Sequence, residues 1–128
     1  MKTFVVSAIA ALTMIASPAA HAQDEAAAPP LAYMIGSYDI RDEAGFADYL
    51  EAASPLAAQY GGRVIVYNPD VQAIEGEARS VIAIAEFPSL ADAERYYNSP
   101  EYIAARQFFT NSTEGWRIIT EGAALPEQ

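Results

Sequence analysis

Apolar residues fall along the chain in runs of two kinds, and the changes between them mark out the elements. Leu31 to Tyr38 (LAYMIGSY) is mostly apolar and rich in aromatics, and the polar stretch Asp39 to Glu43 closes it, which predicts a first strand. Phe46, Tyr49, Leu50, Ala53, Ala57 and Tyr60 follow at spacings of three and four, one face of a helix that Gly61-Gly62 ends as a C-cap. Pro55 interrupts that pattern. Its ring removes the hydrogen bond to the Glu51 carbonyl, so the helix should kink there or restart with Ser54 as cap. Arg63 to Asn68 (RVIVYN) and Arg79 to Phe87 (RSVIAIAEF) are β-branched runs separated by turn residues, hence neighbouring antiparallel strands. Ser89 and Asp92 make a capping-box pattern, and Ser99-Pro100-Glu101 restarts a helix that carries Tyr102, Arg106 and Phe109 on one face. After Asn111 to Glu114, Gly115 to Thr120 (GWRIIT) supplies the last strand.

Strand, helix, strand, strand, helix, strand with right-handed crossovers gives an α+β domain of the ferredoxin-like βαββαβ plan: a four-stranded antiparallel sheet with helices on one face. A sheet covered on one side should alternate apolar and polar residues. Val64-Ile65-Val66-Tyr67 and Val81-Ile82-Ala83-Ile84-Ala85 are apolar on both parities, so the second face also needs a cover. With the helices spent, a second copy of the sheet is the expected cover, which makes a two-fold homodimer with Trp116 as a candidate anchor.

The ends read differently. Lys2, the apolar stretch Phe4 to Ala16, Ser17-Pro18 and Ala20-His21-Ala22 have the form of a signal peptide over residues 1–22, cleaved after Ala22, which predicts a periplasmic or secreted protein. Residues 23–30 (QDEAAAPP) read as a disordered linker, residues 31–122 as the domain and residues 123–128 as a tail. Cleavage would remove the one Lys and the one His, leaving six Arg against seventeen acids, a formal charge of −11. Such a surface repels phosphate backbones and anionic lipids, so neither nucleic acid nor membrane is an expected partner after cleavage. A chain without His, Cys or Lys holds no Ser-His-Asp triad, no His/Cys zinc or haem site and no pyridoxal Schiff base. No cofactor and no metal are expected; Asp39, Asp42 and Glu43 lack calcium-loop spacing. Asp, Glu and Tyr remain for acid-base work, with Arg as a fixed cation.

Tyr60-Gly61-Gly62-Arg63, Glu75-Gly76, Glu86-Phe87-Pro88-Ser89 and Tyr97-Asn98-Ser99-Pro100-Glu101-Tyr102, in that order, resemble domain-of-unknown-function family 1330 over most of Leu31 to Glu121. The resemblance implies the dimeric α/β barrel superfamily, whose members include cofactor-independent monooxygenases, isomerases, haem enzymes and proteins that only bind. It also implies a ligand site in the cleft between sheet and helices.

Polar groups expected to face that cleft are the candidates. Glu86 ends an apolar strand, a place that suits proton transfer, and is the one candidate catalytic residue. Arg63 offers a two-pronged donor for a carboxylate, and Tyr33 a phenolic donor. Tyr97 and Tyr102, in a segment with Tyr96, Phe108 and Phe109, suit a flat apolar ligand, with Arg106 closing the pocket or pairing with Glu101 or Asp42. The sequence thus describes an exported homodimeric domain binding a small apolar or aromatic molecule, with a cofactor-independent oxygenase or isomerase using a Glu/Tyr/Arg site as the alternative.

Overall fold

The computed structural model describes residues 28–124, so the predicted leader, most of the linker and the end of the tail lie outside the described residues. The elements are β1 (Ala32–Ile40), α1 (Glu43–Gln59), β2 (Arg63–Asn68), β3 (Val81–Phe87), α2 (Leu90–Tyr97), α3 (Pro100–Ser112) and β4 (Thr113–Glu121). The strands form one antiparallel sheet in the order β2-β3-β1-β4. This is the ferredoxin-like fold, with its second helical segment split in two.

Each helix starts where a side chain meets its free N–H groups. Asp42 accepts from the Ala44 N–H, Ser89 from Asp92 and Ser99 from Tyr102. α1 ends in a Schellman turn: Gly61 takes φ +73°, its N–H reaches the Ala58 carbonyl, and the Gly62 N–H reaches Ala57. The expected restart at Ser54 does not occur, because α1 runs unbroken through Pro55. Pro55 is exposed, so water can serve the Glu51 carbonyl that the ring leaves without a donor.

β4 begins at Thr113, directly after α3, instead of at the expected Gly115. The Ser112 hydroxyl donates to the Phe108 carbonyl and the Thr113 hydroxyl to Phe109, while the Ser112 carbonyl accepts from the Arg41 and Asp42 N–H groups. The helix end is therefore satisfied without extra chain. β3 begins at Val81 instead of Arg79, because Arg79 and Ser80 turn aside onto Asp39.

Register decides what each sheet face carries. Ala32, Met34, Gly36 and Tyr38 of β1 lie beside Phe87, Ala85, Ala83 and Val81 of β3 and face the helices. A bulge in β2 between Val64 and Val66 turns both Val64 and Tyr67 to that side. The buried core there gathers Phe46, Phe87, Tyr96, Tyr102 and Phe109 around the alanines. The opposite face carries Ile35, Ile82, Ile84, Val66, Trp116 and Ile118, and among the described residues no element packs across it.

Candidate functional site

Small residues sit where a packed core would place large ones. Gly36, Ala83 and Ala85 on the sheet and Ala53 and Ala57 on α1 border a cavity of about 200 Å³ between the sheet and α1. Its walls include the rings of Tyr38, Tyr67, Tyr96 and Phe109, and it opens beside β2, where the helix-side Val64 and Tyr67 are 64% and 48% exposed. Leu50, expected in the core, is half-exposed and stands at this cavity.

Arg117 of β4 reaches into the space because its register partner on β1 is Gly36. A Cβ at Gly36 would lie 3.0 Å from Arg117 Cγ. The guanidinium lies 3.7 Å from the Phe109 ring centroid and donates through Nη1 to the hydroxyls of Tyr49, at 3.3 Å, and Tyr102. Those two hydroxyls are 3.0 Å apart and hydrogen-bonded to each other. Burial pushes the Tyr38, Tyr49 and Tyr96 phenols well above the usual tyrosine range, so they stay protonated at any physiological pH. The arrangement is a fixed cation braced by phenols in an aromatic cavity, suited to holding an oxygen-bearing ligand against flat apolar walls.

The residues singled out from sequence divide between three places. Tyr102 is fully buried beside Arg117. Arg63 stands at the cavity rim, its Nη2 2.9 Å from Glu86 Oε1. Glu86 and Tyr33 are cross-strand partners on the face away from the helices, not in the cleft, since both have the outward parity of their strands. Tyr97 and Arg106 meet elsewhere: the guanidinium lies 4.5 Å over the Tyr97 ring. Arg106 takes that cation–π contact in place of the expected pair with Glu101 or Asp42. Tyr97 borders a second, more open groove of about 230 Å³ with Met34, Ile118 and Ile119, which Arg117 also reaches. Phe108 is exposed and lines neither space. Asp42 caps α1, and Asp39 is bound by Arg79 and Ser80.

Arg117 and Tyr49 escaped the sequence reading. Tyr49 passed as one of several apolar positions on α1. Arg117 had a usable signal: in GWRIIT it shares parity with Ile119, so it points to the helix side of a strand whose other face is also apolar.

Solved structures share this fold at low identity. A protein of unknown function from Rhodopseudomonas palustris is 19% identical and matches 75% of this chain and 85% of its own, with a TM-score of 0.65. The cofactor-independent oxygenase SnoaB of Streptomyces nogalater is 14% identical over 77% of this chain and 99% of its own, at 0.55. A dimeric ferredoxin-like protein of unknown function from Thermobifida fusca is 15% identical over 74% and 92%, at 0.53. No curated protein matches the sequence. The model of the domain-of-unknown-function family DUF1330 matches residues 31–123, and the chain belongs to that family.

Proposed function

We propose that this protein is an exported homodimer whose protomers each bind one small apolar or aromatic molecule in the cavity between sheet and helices. The cavity carries the reading. Natural cores are packed to crystal-like density, yet here Gly and Ala keep open about 200 Å³ walled by aromatic rings. Roughly 150 Å³ suffices for benzene, so the space suits a single substituted ring.

Self-association is supported by the apolar sheet face, where Val66, Trp116 and Ile118 are 37%, 51% and 48% exposed. Export rests on the signal pattern of residues 1–22 and predicts a mature N-terminus at Gln23 in the periplasm or medium. A catalytic role for Glu86 fits less well, because its carboxylate is engaged by Arg63 on the far face. Any chemistry at the cavity would use the phenols and Arg117.

Native mass spectrometry of protein purified gently from its exported compartment is the test. The expected result is a dimer with a reproducible added mass of a small molecule per protomer and a first residue at Gln23. A protein that never retains or takes up any small aromatic molecule would overturn the binding reading.

A further inference from the structure

Granting that the cavity is a binding site, we infer that its occupant is an anion, a single-ring aromatic or unsaturated carboxylate whose oxygens lie on Arg117 and the Tyr49 hydroxyl, which Tyr102 backs from within the core. Charge distribution is the first ground. The chain carries seventeen acids, and Arg41, Arg63, Arg79 and Arg95 each have one within ion-pair distance. Arg117 is mostly buried, and among the described residues no carboxylate pairs with it. A cation withdrawn from water without a counter-ion is costly, and this protein had many acids with which to neutralise it.

The donor inventory points the same way. A guanidinium has five N–H donors, and both bonds made by Arg117 come from Nη1. Nη2 and Nε have no acceptor among the described residues. Of the two phenolic protons, one is used between Tyr49 and Tyr102. The cluster offers a positive charge and more N–H donors than its own oxygens take up, which is complementary to a carboxylate. Phe109 blocks one face of the guanidinium, so the anion approaches its edge, where two parallel N–H···O bonds form. The remaining walls, Met34, Ala83, Ala85 and the rings, leave an apolar slot for the body of the acid.

The experiment is calorimetric titration of the mature protein with benzoate, its neutral isostere benzamide, and toluene. Benzoate should bind about tenfold or more tightly than benzamide, and Arg117→Gln should abolish that preference. Arg117→Lys should keep part of it, since it retains charge without the planar fork. Arg117→Gln should melt, ligand-free, no lower than the parent, because an uncompensated cation is removed. Benzamide or toluene binding as tightly as benzoate would overturn the anion inference and leave the cavity reading standing. Benzoate affinity that survives Arg117→Gln would overturn it likewise, with a lower melting point assigning Arg117 a structural role. Failure of all three probes to bind the parent protein would overturn both.

Discussion

Asp39 is the most heavily engaged acid in the structure. It accepts from the Ser80 N–H at 2.9 Å, the Ser80 hydroxyl at 2.8 Å and Arg79 Nη1 at 2.9 Å. The Ser80 backbone donor, then Arg79, then the Ser80 hydroxyl hold its carboxyl far below the usual aspartate range. Arg41 and then Arg79 lower Glu114 beside it. A carboxyl whose pKa is depressed by folding adds stability above its unfolded pKa and loses it as pH falls through the folded one. Stability should therefore hold from neutral pH down to about 4 and decline steadily below that. Asp39→Asn should lower the neutral-pH melting point and flatten the acid limb, as followed by thermal melts across pH. An unchanged limb would remove Asp39 as its source. Arg117 shows how far residue-level detail was legible: its parity with Ile119 is local, but the room for its side chain comes from Gly36 across the strand pair, a long-range register that no local pattern carries.

Element boundaries were legible wherever local chemistry fixes them. β2 begins at Arg63 as expected because Gly61 and Gly62 close α1 immediately before it, and α3 starts at Pro100 because Ser99 caps it. The misread boundary, α3 to β4, depends on Ser112 and Thr113 hydroxyls folding back on the helix and on a β1 partner distant in sequence. Their composition looks like a loop. Gly115 completes that junction, since a Cβ there would meet the Ser37 carbonyl and the Tyr38 backbone. Pro55 is a different case: α1 continues through it, so of the two outcomes its ring allows, the restart at Ser54 is the one that fails. In an exposed helix interior Pro is about 3 kcal/mol less favourable than Ala, offset by up to about 1 kcal/mol for its stiffening of the unfolded chain. Pro55→Ala should accordingly stabilise the protein by about 2 kcal/mol or slightly more in urea denaturation. A loss of stability would mean that the ring makes contacts the helix needs.

The proposed dimer follows from what surrounds the apolar sheet face as much as from the face itself. Ile35, Ile84 and Ile118 lie side by side across three strands, with Trp116 and Val66 flanking them. At one margin Arg63 pairs with Glu86, and at the other Asp39 and Glu114 share Arg41 and Arg79. Charges bordering the patch are thus neutralised within the protomer, so covering them leaves few ions without partners. That matters in a chain of formal charge −10, or −11 if the proposed leader is removed, since two such protomers repel each other through the remaining surface. The balance makes a specific forecast. Light scattering at micromolar concentration should give a dimer that tightens as salt rises from low to physiological strength, because screening weakens the long-range repulsion while the apolar contact is untouched. Ile118→Asp places a carboxylate inside the contact and should give a monomer with an unchanged circular dichroism spectrum, and its melting point should no longer depend on protein concentration. A parent protein that scatters as a monomer at every salt concentration would leave the apolar face without the partner assigned to it.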